Sequence, residues 1–270
     1  MQDQKSLAKV VEYMKSHWPS HVKPEWQVGL AEYPQIIQKV LANFTTGKTM
    51  TRHLFRIAGL SGSGKTTQIL PAVEAHCDKR KITPVLVAAR RFVEYHPHYQ
   101  DILNEYGEQN LRKMTDEFST IMMFMTLKAL TDAGYDIILD VTLLDPEIEG
   151  ILIQMLEKGN YKSLLLMIAT SPIVTEHFLE GRAWRHSRET EKEFIRATSH
   201  ALAFYAETTP EIRIILWSVY GLNPIYDGPV SGCLDIFADY SSRETLPARD
   251  DAARASAKIS YLTSSTTDLS

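Results

Sequence analysis

Gly59-Leu60-Ser61-Gly62-Ser63-Gly64-Lys65-Thr66 has the spacing G-x-x-x-x-G-K-[ST], the pattern of a loop that cradles phosphate. Glycine lets such a loop turn tightly and aim successive N–H groups at a phosphate with no Cβ in the way. A helix that starts at the end of the loop adds the positive end of its dipole. Lys65 is then placed to reach the β- and γ-phosphates, and the Thr66 hydroxyl to complete a Mg²⁺ shell of water and phosphate oxygens. Gly59, Ser61, Gly62, Ser63, Gly64 and Thr67 form the rest of the cradle. The pattern implies ATP with Mg²⁺ as the bound group.

Three further stretches carry chemistry. Tyr135-Asp136-Ile137-Ile138-Leu139-Asp140 is an apolar run that ends in an acid, the arrangement that supplies a metal-shell carboxylate or a catalytic base in phosphoryl transfer. Asp140 is the candidate for both roles, beside the plainer reading of an acid that caps a turn. Arg182, Arg185 and Arg188 lie within seven residues, and arginines so clustered can stabilise a phosphate in transfer; a solvated basic helix is the alternative. Arg90, Phe92, His96 and Tyr99 follow an apolar run directly. In open α/β sheets the segment beyond the carboxyl end of a strand faces the ligand crevice, so these four are candidate substrate contacts, or else a surface loop.

Positioning these groups requires a sheet. Residues 54–58, 84–89, 135–140, 163–169 and 212–219 are short apolar runs, as expected of parallel strands covered on both faces. Ile225-Tyr226-Asp227-Gly228 suits a returning edge hairpin. Helical patterns separate the strands, the longest at 115–133 with Gly134 as its stop. The expectation is an α/β chain: a three-layer αβα P-loop NTPase fold with a mainly parallel five-stranded sheet and an N-terminal helical extension. It divides into a helical extension (1–50), a kinase domain (51–240) and a polar C-terminal tail (241–270). In the extension, Leu7, Val10, Val11 and Met14 form one amphipathic stripe and Ile36, Ile37, Val40, Leu41 and Phe44 another. In the tail, residues 249–254 read as weakly helical and 263–267 as frayed.

Composition narrows the setting. The 270 residues are 44% hydrophobic and 23% charged, with a net charge of −4, ordinary for a globular chain and offering no general attraction to nucleic acid or anionic membrane. Two distant cysteines, Cys77 and Cys233, argue for a reducing cytoplasm over a disulfide framework. The sequence has no apolar run of the length a membrane span needs.

The order of P-loop, Phe92…His96-Pro97…Tyr99, long helix, Gly134-to-Thr142 segment and arginine cluster resembles the zeta toxin family of P-loop kinases over about residues 52–240. The resemblance implies a cytoplasmic toxin of a toxin–antitoxin system that phosphorylates a sugar hydroxyl of UDP-N-acetylglucosamine, and a small helical antitoxin as partner. It implies Lys65 and Thr66 as ATP and Mg²⁺ contacts, and Arg182 and Arg188 as lid arginines. The chain departs from the family pattern at three points. Arg90 stands where the family has its catalytic aspartate, and Phe124 near its sugar-contacting glutamate. Asp140 and Thr142 occupy the Glu and Thr positions of Glu-Gly-Thr, with Leu144 in place of the following arginine. A kinase of a different nucleotide, cofactor or antibiotic therefore stays open, as does a nucleotide-binding module without turnover.

Overall fold

A computed structural model describes residues 11, 12, 15, 16, 20–141, 143, 146–180, 188–243, 245, 246 and 251–264, with the backbone alone for residues 188, 189 and 251. Six strands form one sheet in the order β2-β3-β1-β4-β5-β6. They are β1 (His53–Ala58), β2 (Val85–Ala88), β3 (Ile137–Asp140), β4 (Lys162–Ala169), β5 (Arg213–Ser218) and β6 (Pro224–Pro229). The first five are mutually parallel, and β6 runs antiparallel to β5. The expected hairpin is thus a full sixth strand at the sheet edge, where prolines can sit because one side of an edge strand has no ladder to complete.

The helices are α1 (Tyr33–Phe44), α2 (Leu70–Arg80), α3 (Tyr99–Tyr106), α4 (Glu108–Ala133), α5 (Pro146–Lys158), α6 (Pro172–Phe178), α7 (Arg188–Thr208), α8 (Leu234–Ser241) and α9 (Asp251–Ser264). Alternation along each strand divides the side chains between two faces. Leu54, Val85, Val87, Ile137 and Leu139 meet α1, α4 and α5, while Leu165, Met167, Ile214 and Leu216 on the same face meet α7 and α8. Phe55, Ile57, Ile138, Leu164, Leu166, Ile215 and Trp217 face α2, α6 and α9 on the other side. This is the expected three-layer arrangement.

Local chemistry sets the boundaries. Pro146 and Pro172 open α5 and α6, where their missing N–H costs nothing. Gly134 closes α4 at φ 84°, a left-handed stop that glycine adopts freely. In the N-terminal extension, α1 buries Ile36, Val40 and Phe44, and Val11 is buried in the same cluster. The rest of the first expected stripe lies outside the described residues. The C-terminal segment differs from its sequence reading, since α9 is helical from Asp251 to Ser264 and buries Arg254, Lys258 and Leu262. Two of those three are cations, and a polar helix of this kind gives no apolar stripe to read.

One charged side chain points from β1 into the α5/α7 layer. Arg56 donates to Glu149 Oε1 at 2.7 Å and pairs with Oε2 at 2.5 Å, and it also donates to the Tyr205 hydroxyl. Tyr205 donates in turn to Glu149 Oε2 at 2.7 Å. The three groups are buried and bond to one another, tying β1 to both helices, with Arg56 Nε alone of the guanidinium nitrogens lacking a hydrogen-bond partner among the described residues. Removing one partner of such a pair strands the other charge, at a cost of about 3–5 kcal/mol. Glu149→Leu is therefore expected to lose that much stability by chemical denaturation. Combining it with Arg56→Met is expected to recover most of the loss. A single variant of native stability, or a double variant no better than the single, would refute this account of the triad.

Candidate active site

The loop after β1 crosses the carboxyl edge of the sheet. Gly59 has φ 140°, and a Cβ there would lie 3.1 Å from the Ile168 carbonyl oxygen, so only glycine lets the loop press against β4. Gly64 has φ 97° at the other end of the loop. Between them Ser63 is buried, with an Oγ that has no hydrogen-bond partner among the described residues, while Thr66 and Thr67 are exposed. The first helical turn, Lys65–Ile69, is wide: Leu70 N–H reaches back five residues to the Lys65 carbonyl. Pro71 follows, and its missing donor and ring disfavour an ordinary α-turn at that point.

Lys65 folds across the loop, its ammonium donating to the carbonyls of Gly59 at 2.6 Å and Leu60 at 2.9 Å. Desolvation pushes its pKa down to about 8, with the Asp140 carboxylate opposing and the Arg112 and Arg90 guanidinium groups adding to the fall. Lys65 is partly buried, so its charge is less hydrated than that of a surface lysine, and a less hydrated charge acts more strongly.

Asp140 closes β3, level with Ala88 of β2 on one side and Ile57 of β1 on the other. Its side chain is 4% exposed, and Oδ2 lies 2.8 Å from Arg90 Nη1. Arg90 stands in the one-turn helix Ala89–Arg91 that follows β2; its side chain is half-exposed. The position that holds an acid in the family pattern thus carries the cation that pairs with Asp140. Thr66 and Asp140 offer a hydroxyl and a carboxylate, both hard oxygen donors. Among the described residues there is no cluster of three acids, histidines or cysteines that could hold a metal. That donor set fits Mg²⁺, which takes few protein ligands and keeps water and phosphate oxygens.

The other substrate candidates are placed differently. Phe92 is fully buried, its ring 5.6 Å from that of Phe44. His96 is buried with its ring 4.6 Å from Phe118, and its Nδ1 accepts from the His98 N–H. Burial pushes His96 down to about 4, with His98 adding to the shift, so the ring is neutral at pH 7. Tyr99, half-buried, opens α3. Arg90 is therefore half-exposed beside Asp140 at the carboxyl edge of the sheet, while Phe92 and His96 are buried against Phe44 and Phe118. Arg91 is engaged elsewhere, donating to the Leu86 carbonyl at 2.8 Å and lying over the Phe44 ring. Arg182 and Thr142 lie outside the described residues, as does Leu144, and Arg188 is described only as the first backbone position of α7.

Glu191 was not legible as a site residue. It is 1% exposed, and neither carboxyl oxygen has a hydrogen-bond partner among the described residues. Burial pushes its pKa up to about 7, opposed by the Lys65 ammonium. Its neighbours Arg188-Glu189-Thr190 and Lys192-Glu193 alternate in charge, a pattern that reads as a solvated helix face.

Comparison with known proteins bears on the family and the fold. The family model for the zeta toxins matches residues 43–215, more than half of the chain. Toxin PezT of Streptococcus pneumoniae serotype 4 is 27% identical over 147 residues, which is 53% of this chain and 55% of PezT; the chain spans about half the length of that relative. A solved chain from the PezAT chromosomal toxin–antitoxin system of Streptococcus pneumoniae shares 19% identity, with a TM-score of 0.61 over 88% of this chain and 98% of its own. A chain of the AvrRxo1-ORF1:AvrRxo1-ORF2 complex with sulphate ions shares 12% identity, with a TM-score of 0.54 over 92% of this chain and 93% of its own. Both structures show the same fold at low identity. The extent of the family match decides membership: the chain belongs to the zeta toxin family.

Proposed function

We propose that this chain is an ATP-dependent phosphotransferase that moves the γ-phosphate of ATP to a hydroxyl of a small nucleotide-linked acceptor, as the toxin of a toxin–antitoxin pair. The observation that carries the reading is the approach of the Arg90–Asp140 ion pair to the phosphate loop, with β3 seated between β1 and β2. Phosphoryl transfer asks chiefly for positioning and for positive charge around the transferring group. Lys65 supplies that charge from the loop. Asp140 is paired with Arg90 by charge and orients the acceptor hydroxyl. Arg90 itself cannot take a proton, because a guanidinium stays charged. Thr66 and Asp140 would hold Mg²⁺, which neutralises phosphate charge when bound. Arg182 and Arg188 are assigned to the lid, and Thr142 to the acceptor, by their place in the family pattern.

Family membership favours UDP-N-acetylglucosamine as acceptor. A second reading, another nucleotide or cofactor, is favoured by Phe124. That residue is buried in the apolar cluster of α4, so it offers a sugar hydroxyl nothing in place of a glutamate. A protein partner is supported by the two-component systems that the related structures represent, PezAT and AvrRxo1-ORF1:AvrRxo1-ORF2. A cytoplasmic setting is supported by the two free, buried cysteines. Among the described residues no helix is long and apolar enough to cross a membrane.

The test is ³¹P NMR of the chain with Mg-ATP and a panel of nucleotide-sugars and dinucleotides. A new phosphomonoester is expected; Lys65→Ala is expected to abolish it, and Asp140→Asn to cut its rate by about 10²-fold or more. ATP bound with no product on any acceptor would sink the phosphotransferase reading and leave a binding module.

The lowered Lys65 pKa gives a second expectation. The ammonium is charged below pH 8 in the free chain, and a bound triphosphate stabilises that charged form. ATP affinity should hold steady toward pH 7 and fall as pH rises past about 8, with proton uptake on binding in that range. The last phosphate proton, with a pKa of about 6, is already gone there and adds no slope. Calorimetry in buffers of different ionisation enthalpy measures the uptake, and Lys65→Met should remove it. A flat profile to pH 9.5 would contradict the assignment.

A further inference from the structure

The C-terminal helix α9 lies along α2 and runs in the same direction. Lys258 meets Gln68, the Leu262 carbonyl meets His76 Nδ1 at 2.8 Å, and the Thr263 carbonyl accepts from Lys79. The earlier turns of α9 are therefore the ones beside the phosphate loop. Lys258 is 0% exposed, a state lysine almost never adopts unless its ammonium is engaged. Among its contacts, the ammonium donates to Gln68 Oε1 at 3.0 Å and lies 5.7 Å from the Trp217 ring centre.

That hydrogen bond has a consequence at the loop. A lysine only donates, so it selects the carbonyl end of the Gln68 amide and turns the NH₂ end the other way. The NH₂ end sits on Gly64: a Cβ at Gly64 would come within 2.5 Å of Gln68 Nε2 and 2.8 Å of Cδ. The Gln68 backbone N–H also donates to the Gly64 carbonyl at 2.8 Å. The amide thus fills the space above the left-handed residue directly before Lys65. If packing alone were needed, a methionine would fill the Lys258 volume without burying an ammonium, which is costly. What the lysine adds is a fixed donor for Gln68.

We propose that Lys258 is a positioning residue of the nucleotide site, holding Gln68 against Gly64 and so setting the loop that cradles the phosphates. The proposal rests on the phosphotransferase reading in taking that loop as the ATP site. It makes the C-terminal segment part of the site rather than a polar appendage.

The experiment is calorimetric binding of ATP, ADP and AMP to the full chain and to Lys258→Met, Gln68→Leu, their combination, Lys258→Arg and Leu262→Ala. AMP presents a single phosphate and draws least on the loop. Lys258→Met and Gln68→Leu are each expected to weaken ATP and ADP about tenfold and AMP less than about twofold, with the double variant no worse than either single one. Lys258→Arg keeps a donor and should keep affinity, which carries the test if Lys258→Met does not fold. Leu262→Ala is expected to melt earlier yet bind ATP normally, because it loosens α9 at the end away from the loop. Parent-like ATP binding by folded Lys258→Met and Gln68→Leu would overturn the proposal. So would strictly additive losses, or an equal loss in Leu262→Ala. Failure of the parent chain itself to bind ATP would overturn the phosphotransferase reading, and this proposal with it.

Discussion

The site depends on where β3 lies. It is inserted between β1 and β2, so the residue that ends it stands between one that lies two short of the phosphate loop and one that lies two short of Arg90. Asp140 occupies that position, flanked by Ile57 and Ala88. Asp140 is buried there, and because a lone buried charge is expensive it takes an opposite charge as partner. The Arg90–Asp140 ion pair meets that requirement. Strand order, fixed by apolar packing on both faces, thereby determines which charges face the loop.

The same logic recurs elsewhere in the fold. Asp136, at the start of β3, accepts hydrogen bonds from the Thr51 and His53 N–H groups and from the Thr51 hydroxyl. Burial alone would raise its pKa, but bonds from Thr49, His53 and Thr51 outweigh burial and hold it below the ordinary carboxylate range. The chain entering β1 is thus fastened to β3 at the edge opposite the site. Arg56 fastens the middle of β1 to α5 and α7. Tyr261 of α9 donates to Asp227 of β6 at 2.6 Å, and Asp227 in turn takes two hydrogen bonds from Arg213 of β5. Each connection joins two elements by a directed polar contact, where apolar packing alone would leave register less defined.

How much of this could be read in advance differs by residue type. The phosphate loop was legible because its chemistry demands particular residues at particular spacings, and the five parallel strands because burial on both faces leaves continuous apolar runs. The wide turn at Lys65–Ile69 was not, since its cause, Pro71, also reads as an ordinary first-turn proline. Phe92 and His96 carry the family signature and sit where a strand ends, yet which of them faces the crevice is a matter of rotation, and period counting does not supply it across two one-turn helices. Glu191, Arg254 and Lys258 were illegible for a common reason. Charged residues in a helix read as solvent-facing, and only tertiary packing shows that these three face inward.

Arg90 in place of an acid changes the electrostatics of transfer more than it changes the parts present. With an acid at position 90 and another at 140, two negative groups would face an anionic nucleotide, and one would serve as proton acceptor. With Arg90 opposite Asp140 the pair sums to zero, and Lys65 keeps its positive charge for the phosphates. A loose transition state gives up its acceptor proton late and draws most of its stabilisation from surrounding positive charge. A site of this kind trades a dedicated base for a more positive field. That trade suits an acceptor whose own anionic groups would be repelled by two carboxylates, and the guanidinium of Arg90 is half-exposed beside Asp140.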